Sequence, residues 1–274
     1  MNTQFLKRPE GAIAYDDTGS GPLVICAPSM GDVRGEYRFL APQLVAAGYR
    51  VVTMDLRGLG ESSTSWADYS VAGVGSDLVA LVTALDAGPA VIAGCSMAAG
   101  AAVWAAAEAP ELVARLVLLG PFVRGATSRQ NRLLYSALFT RPWGPGAWLR
   151  YYSTLYPTRK PTDFAEYTAA LRSNLAQAGR LEALRQMLYA SKAASEERLP
   201  RVSAPALVLM GSKDPDFKQP EVEAQWVANS LHARFEMVPG AGHYPHAEMP
   251  DVVGPMVLSF VQTLNKEQEK SNAA

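Results

Sequence analysis

The stretch that most constrains the fold is residues 90–100, which read AVIAGCSMAAG. Its first part is a short apolar run that has the length of a buried strand and contains β-branched residues. The residues after Ser96 are rich in alanine and predict a helix that ends at Pro110. Ser96 therefore lies at an abrupt turn from strand to helix, where the side chain is forced toward solvent and the backbone is strained. Such a turn needs small residues two positions before and after the serine, and Gly94 and Ala98 meet this requirement.

Two interpretations of Ser96 fit this stretch. The helix behind the serine brings free N–H groups and the positive end of its dipole next to the hydroxyl, where negative charge develops during acyl transfer. In this interpretation Ser96 is a nucleophile. In the other, Ser96 only caps the helix, a role for which serine is well suited. The rest of the chain must decide between them.

Other short apolar runs predict the remaining strands of a sheet. They lie at residues 4–7, 11–15, 23–27, 51–54, 116–119, 206–210 and 235–238. The first two are typical of a hairpin. The runs at 23–27 and 51–54 lack the alternation of a half-exposed sheet, which favours a parallel sheet covered on both faces. Helical patterns at about 37–47, 71–85, 220–231 and 252–264 supply that cover.

Residues 123–198 differ from the rest of the chain because they contain helical patterns without convincing strands. The patterns lie at 130–139, 164–177 and 181–194, separated by the Pro-rich and Gly-rich residues 142–146 and 157–161. The sequence thus predicts a core of residues 1–122 and 199–274 with a helical insertion at 123–198. Aromatic and leucine side chains in this insertion either form its own core or line a pocket.

Two motifs resemble the α/β-hydrolase family. The sequence GCSMA at residues 94–98 resembles the nucleophile elbow, with Ala98 where the family usually has Gly, and DLRGLGES at residues 55–62 follows a strand as in the family. The resemblance spans nearly the whole chain outside the insertion. It implies an α/β-hydrolase fold, with a mostly parallel eight-stranded sheet flanked by helices. The insertion looks like the helical cap, or lid, that this family places over the carboxyl edge of the sheet.

A nucleophilic serine needs a base, and histidine suits that task. Of the three histidines, His243 lies in a glycine-rich loop after the last predicted strand, which is the place and chain order that the family uses. His232 lies at a helix end, and His246 lies beside Pro245 in a loop or first helical turn. His243 is therefore the predicted base, and His246 is the alternative.

The third member of such a triad is a carboxylate that holds the imidazole tautomer and stabilises the imidazolium. Asp214 follows its strand after Gly-x-x, as the family's acid does, and is the predicted acid. Asp216 is the alternative. A purely structural role for Asp214 would be turn formation before Pro215.

An oxyanion hole needs two N–H donors, which are predicted on the backbone of Met97 and in the loop after residues 23–27. That loop reads Pro28-Ser29-Met30, so the histidine often found there in the family is missing. Met30 is the predicted donor and Ser29 the alternative. Asp32, close by, either contacts a polar substrate group or forms an Asx turn or helix cap, the second being the commoner role.

In the second motif, Asp55 and Arg57 are expected to pair and to fix the loop beside the active site. That role is structural rather than catalytic.

The resemblance implies a serine hydrolase that cleaves a carboxylic ester or lactone of a small molecule through Ser96, His243 and Asp214 and an acyl-enzyme. Met97 after the serine also occurs in carbon–carbon bond hydrolases and in cofactor-free perhydrolases of the haloperoxidase type, so both remain alternatives. A ligand-binding hydrolase that acts in signalling is a further alternative. The sequence contains no metal cluster, phosphate loop or dinucleotide fingerprint, so neither a cofactor nor a metal is expected.

Composition narrows the expected partners to a small-molecule substrate. The 25 basic and 26 acidic residues nearly balance, so no global field attracts nucleic acid or an anionic membrane. The first residues lack an apolar segment of secretory length, and residues 97–107 are too short to cross a bilayer, so a cytoplasmic location is expected. Cys26 and Cys95 are expected to fill the core rather than to form a disulfide. The oligomeric state is left open.

Overall fold

A single eight-stranded sheet forms the centre of the computed structural model, which describes residues 3–272, with side chains described up to Gln262. The strands lie in the order β1-β2-β4-β3-β5-β6-β7-β8. Their bounds are β1 (Gln4–Arg8), β2 (Gly11–Thr18), β3 (Leu23–Ala27), β4 (Arg50–Met54), β5 (Ala90–Cys95), β6 (Val113–Leu119), β7 (Ala206–Gly211) and β8 (Arg234–Val238).

The sheet is parallel except at β2, which pairs antiparallel with both β1 and β4. Strands β3 and β5 are buried along their whole length, as expected of continuous apolar runs in a sheet covered on both faces. In the register of β5, Gly94 lies opposite Ala27 of β3 and Leu118 of β6. The predicted α/β-hydrolase fold is confirmed.

Six helices cover the two faces of this sheet. They are α1 (Leu40–Ala46), α2 (Val71–Leu85), α3 (Met97–Glu108), α9 (Pro220–Leu231), α10 (Pro245–Glu248) and α11 (Pro250–Asn272). Ser70 caps the N-terminus of helix α2, with its hydroxyl accepting the Gly73 N–H at 3.3 Å. Helix α3 is buried on nearly all sides, which explains its alanine-rich composition, because only small side chains let neighbouring elements approach closely.

Five α-helices lie between β6 and β7. They are α4 (Arg129–Leu138), α5 (Gly144–Tyr152), α6 (Phe164–Leu175), α7 (Arg180–Tyr189) and α8 (Ala193–Glu196). Helix α5 differs from the sequence prediction, which treated residues 142–146 as a separator. Pro145 lies in the first turn of α5, where a missing N–H costs nothing and the fixed φ suits a helix.

The motif at residues 55–62 makes different ion pairs from those expected. Asp55 accepts the backbone N–H of Arg34 at 2.7 Å and pairs with the Arg34 guanidinium, whereas Arg57 pairs with Asp77 of α2 at 2.8 Å. The predicted pair of Asp55 with Arg57 is wrong. The turn closes on the Asp55 carboxylate, since a Cβ on Gly60 would collide with it, and Arg57 is directed toward α2 instead.

Cys26 and Cys95 are buried and free, as predicted. Across residues 3–272, none of the helices combines the length and the apolar character that crossing a bilayer requires.

Candidate active site

Ser96 occupies the turn between β5 and α3 in a strained conformation, with φ at +56° and ψ at −120°. Positive φ is uncommon for a residue other than glycine, and here the surroundings hold it in place. The Ser96 N–H donates to the Leu119 carbonyl at 2.9 Å, and the Phe122 N–H donates to the Ser96 carbonyl at 3.1 Å. Within the described structure the Ser96 hydroxyl makes no capping bond to α3, which speaks against the helix-cap interpretation.

The residues on either side of this turn are small because the backbone doubles back on itself. A Cβ on Gly94 would lie 2.5 Å from the carbonyl oxygen of Ala98. Gly94 therefore cannot be replaced without moving the turn. Ala98 is fully buried and fits with its single methyl group.

His243 and Asp214 are joined by a hydrogen bond of 2.7 Å between Nδ1 and Oδ2. Asp214 follows β7, and His243 lies in the loop after β8, where its backbone N–H donates to the Leu155 carbonyl at 3.0 Å. Both side chains are buried. When His243 is neutral and its proton lies on Nδ1, toward Asp214, Nε2 is left to accept a proton from another group.

The imidazole of His243 lies at the same corner of the sheet as Ser96. Phe122, whose N–H binds the Ser96 carbonyl, has its ring centroid 5.7 Å from that of His243. Gly120, one residue after β6, lies against the His243 ring. The structure thus brings the predicted base and acid together, next to the elbow.

Asp216, the alternative acid, lies on the other side of the imidazole. Its Oδ2 is 3.8 Å from His243 Nε2, its Oδ1 accepts the Tyr151 hydroxyl at 2.5 Å, and its N–H donates to Asp214 Oδ1 at 3.0 Å. His243 is therefore flanked by two carboxylates, of which Asp214 holds Nδ1.

These carboxylates govern the ionisation of His243. Burial lowers the pKa of the imidazole, but the charges of Asp214 and Asp216 and the hydrogen bond to Asp214 outweigh it and raise the pKa to about 9. Burial also raises the pKa of the Asp216 carboxyl, against the opposing effect of the His243 charge.

The loop after β3 is held by side chains from both parts of the chain. The Ser29 N–H donates to Glu36 Oε2 at 2.8 Å, and the Ser29 hydroxyl accepts from Tyr244 at 3.1 Å. Trp148 of α5 donates its indole N–H to the Gly31 carbonyl at 2.9 Å. The amide of Ser29 is thus already engaged by a carboxylate.

Asp32 ties this loop to the helical insertion. Its Oδ1 accepts the Val33 N–H at 2.8 Å, and the hydroxyls of Tyr152 and Tyr167 donate to its two oxygens at 2.7 and 2.5 Å. Burial and the charge of Glu36 raise the pKa of Asp32 to about 7, although these hydrogen bonds act in the opposite direction. The expected Asx turn or helix cap is not formed, because the Arg34 N–H donates to Asp55 and the short helix at residues 34–37 has no side-chain cap.

Glu36 was missed by sequence reasoning, and it forms a second buried pair with His246. Glu36 Oε1 lies 3.1 Å from His246 Nε2. Burial raises the pKa of Glu36 to about 7 and lowers the pKa of His246 to about 3. Because 210 residues separate the two side chains, no local motif signals their contact.

Ligand atoms of Glu36, Cys95 and His246 lie within 4.8 Å of one another, a spacing at which a metal ion could bind. The chemistry of the set does not fit an ion. Burial raises the pKa of the Cys95 thiol far above its ordinary value, so the thiolate that binds metal is disfavoured. A neutral buried cluster fits these residues better.

A sequence profile described as the alpha/beta hydrolase fold matches residues 22–250. The chain belongs to the α/β-hydrolase fold family and is an enzyme of that family. This membership agrees with the sheet order and with the strained serine after β5.

Three known proteins illustrate its relationships. A Mycobacterium tuberculosis protein named "Putative non-heme bromoperoxidase BpoC" is 30% identical over 260 residues, covering 90% of this chain and 97% of that protein. A Burkholderia vietnamiensis 2-hydroxy-6-oxononadienedioate/2-hydroxy-6-oxononatrienedioate hydrolase is 29% identical, covering 91% of each chain. The structure of a thermophilic esterase from Thermogutta terrifontis superposes with a TM-score of 0.78 at 24% identity, over 96% of this chain and 99% of that one.

Proposed function

We propose that this α/β-hydrolase cleaves a carboxylic ester or lactone of a small molecule, with Ser96 as nucleophile, His243 as base and Asp214 as acid. The observation that carries the proposal is the 2.7 Å bond between His243 and Asp214, next to a serine in a strained turn at the start of a helix. A base oriented by a buried carboxylate, beside a nucleophile, is the arrangement that acyl transfer requires.

In the proposed reaction, Ser96 Oγ attacks the carbonyl carbon while His243 Nε2 takes the hydroxyl proton. Asp214 stabilises the imidazolium that forms. Collapse of the tetrahedral intermediate breaks the bond to the leaving oxygen, which receives the proton from Nε2. Water, deprotonated by the same nitrogen, then hydrolyses the acyl-enzyme and restores Ser96.

The oxyanion of that intermediate needs two N–H donors, and we assign the backbone amides of Met97 and Met30. Met97 is the first residue of α3, where backbone N–H groups lack intrahelical partners. The engagement of the Ser29 amide by Glu36 favours Met30 over Ser29. Loss of one such donor costs about 100- to 1000-fold in kcat.

Residues 123–198 are proposed to act as a cap over the core formed by residues 1–122 and 199–274. Trp148, Tyr151 and Tyr152 of α5 contact the loop after β3 and the Asp216 carboxylate. Ser96 and His243 are each only 1% exposed, so a substrate must displace part of the cap to enter. A small molecule suits so enclosed a site. A cytoplasmic place of action stays a prediction.

Turnover of p-nitrophenyl acetate and butyrate and of a γ-lactone tests the proposal. We expect hydrolysis by the wild type and a loss of at least about 1000-fold in kcat/KM for Ser96→Ala. Ser173→Ala, on the exposed face of α6, is the matched control and should stay within about twofold of the wild type. Hydrolysis that survives in Ser96→Ala, or none by the wild type, would contradict the proposal.

A second candidate is perhydrolysis, which the 30% identity to the mycobacterial protein named as a bromoperoxidase favours. Here hydrogen peroxide replaces water as the nucleophile on the acyl-enzyme, releasing a peroxycarboxylic acid and free Ser96. The peroxy acid then oxidises bromide to hypobromous acid and is itself reduced to the carboxylate. Bromination of monochlorodimedone that requires acetate, peroxide, bromide and Ser96 together would support this activity. Bromination independent of Ser96 would exclude it.

A further inference from the structure

Asp216 is the charged side chain of this region that the proposed mechanism leaves unused. It lies in the loop after β7, two residues beyond Asp214, and its side chain is 16% exposed. Burying a carboxylate is costly unless a cation or hydrogen-bond donors compensate the charge. Its compensating neighbours are the Tyr151 hydroxyl and the imidazole of His243.

The position of Asp216 is well defined. Its backbone N–H donates to Asp214 Oδ1 at 3.0 Å, so the loop is fixed to the acid of the triad. The next residue, Phe217, stacks on Phe122 with ring centroids 4.5 Å apart. Tyr151 holds Oδ1, which directs Oδ2 toward Nε2 of His243. The carboxylate is therefore aimed by contacts from both the core and the insertion.

Asp216 lies on the Nε2 side of the imidazole, and Nε2 is the atom that protonates the leaving group in the proposed reaction. His243 Nε2 must approach the leaving oxygen to within hydrogen-bond distance in order to protonate it. Oδ2 is 3.8 Å from Nε2, too far for a direct hydrogen bond, and a leaving oxygen bonded to Nε2 would share this side of the ring with the carboxylate. A substituent next to the leaving oxygen would therefore meet this carboxylate.

The surroundings of Asp216 favour one kind of substituent. Tyr151 donates to the carboxylate, and the stacked rings of Phe122 and Phe217 lie against the His243 imidazole; all three aromatic side chains are partly exposed beside the buried triad. A carboxylate combined with aromatic faces is the environment that binds alkylammonium groups. An anionic substituent would instead be repelled.

We propose that Asp216 binds a positively charged alkylammonium group on the leaving-group side of the substrate, so that the enzyme prefers esters of amino alcohols. This inference rests on the proposed ester hydrolysis at Ser96. A bound cation would also offset the negative charge of Asp216 and so return the pKa of His243 toward its ordinary value, making the imidazole a base when substrate is present.

The test compares two esters of the same acid that differ in one atom of the leaving group. Choline and 3,3-dimethylbutanol have the same shape, with quaternary nitrogen in one and carbon in the other. Their acetate and butyrate esters are assayed with the wild type, Asp216→Asn and Asp86→Asn. Asp216→Asn keeps an acceptor for Tyr151, and Asp86→Asn removes an equal charge from an exposed turn after α2.

We expect the wild type and Asp86→Asn to hydrolyse the choline ester with a kcat/KM about tenfold higher than that of the neutral ester. In Asp216→Asn this ratio should fall to within about twofold of unity, mainly because KM of the choline ester rises. If Asp216 has only a structural role, Asp216→Asn will lower kcat/KM equally for both esters. The ratio will then be unchanged, which would overturn the inference.

Failure of the inference can be told from failure of the proposed function. If a fluorophosphonate labels Ser96 and both esters are hydrolysed without charge preference, only the role of Asp216 is overturned. If Ser96 is not labelled and neither ester is hydrolysed, the proposed function fails and the role of Asp216 fails with it.

Discussion

The two buried carboxylate–histidine pairs of this enzyme are similarly close, but the pKa values of their histidines are shifted in opposite directions. Asp214 and His243 lie 2.7 Å apart, and Glu36 and His246 lie 3.1 Å apart, with all four side chains buried. Yet the pKa of His243 is raised to about 9, while that of His246 is lowered to about 3. His243 has a second carboxylate, Asp216, at its Nε2. At His246 the effect of burial on the pKa prevails, whereas at His243 the charges of Asp214 and Asp216 outweigh it.

Glu36 and His246 form the pair that burial keeps neutral, and its role is structural. Burial raises the pKa of Glu36 to about 7, so its carboxyl group retains a proton more readily than an exposed one. Glu36 Oε2 accepts the Ser29 N–H at 2.8 Å, while Oε1 lies 3.1 Å from His246 Nε2 without forming a hydrogen bond to it. One pair is thus suited to move protons, and the other holds the loop that carries Met30.

The largest expected difference between the pairs concerns the histidines themselves. His243→Gln should lower kcat/KM by about 1000-fold or more, because the serine loses its base. His246→Gln should leave kcat/KM within about tenfold of the wild-type value and instead lower the free energy of unfolding by about 1–3 kcal/mol, because a buried ring that packs on Tyr37, with centroids 4.8 Å apart, is lost. Ester kinetics and urea unfolding of both variants measure these effects. Equal losses of activity would remove the distinction between the pairs.

Replacing the carboxylates of the two pairs should also affect activity unequally, but the difference should be smaller than for the histidines. Asp214→Asn should reduce kcat on the order of 1000-fold, since an amide favours the wrong tautomer of His243. Glu36→Gln keeps an oxygen to accept the Ser29 N–H, so its kcat should fall less than tenfold. Steady-state assays at saturating ester provide the comparison. A larger loss for Glu36→Gln than for Asp214→Asn would show that the roles have been exchanged.

The pH profile of kcat/KM tests whether Asp216 raises the pKa of His243. Only neutral His243 accepts a proton, so kcat/KM should rise with pH up to a pKa of about 9 in the wild type. Asp216→Asn removes one charge that favours the imidazolium, and the rise should move to lower pH. The neutral ester, assayed from pH 5 to pH 10, avoids changes in substrate charge. An unmoved profile would mean that Asp216 does not act on His243.

The smallest expected effect is on how the free energy of unfolding changes with pH because of Glu36. In the folded protein the pKa of Glu36 is raised from 4.5 to about 7, so the folded state binds more protons than the unfolded state between these values. The resulting stabilisation is full below pH 4.5 and is lost as the pH rises through 7. Glu36→Gln should therefore be more destabilising at pH 5 than at pH 8, by about 1–2 kcal/mol. Urea unfolding at both pH values measures this, and a pH-independent difference would contradict it.

The sequence anticipates those features of the molecule that are encoded locally. The apolar runs, the alanine-rich helix and the small residues around Ser96 predict the sheet and the elbow, because strand burial and a tight turn restrict composition directly. Asp214 and His243 are found from their places after β7 and β8. The catalytic roles of all three residues stay predictions.

Features that depend on distant partners could not be predicted in the same way. Arg57 pairs with Asp77 rather than with Asp55, because the turn that encloses Asp55 directs the two side chains apart. Glu36 contacts His246 across 210 residues of sequence. The position of Asp216 beside Nε2 of His243 likewise depends on folding, because hydrogen bonds to Tyr151 and Asp214 set it.

Covalent labelling of Ser96 tests the central claim most directly. The purified enzyme is treated with a fluorophosphonate, its intact mass is measured, and the modified peptide is sequenced by mass spectrometry. One adduct on Ser96 is expected, formed at least about 1000-fold more slowly in His243→Gln and absent in Ser96→Ala. A wild-type enzyme that acquires no adduct, or acquires it on another residue, would contradict the assignment of Ser96 as the nucleophile.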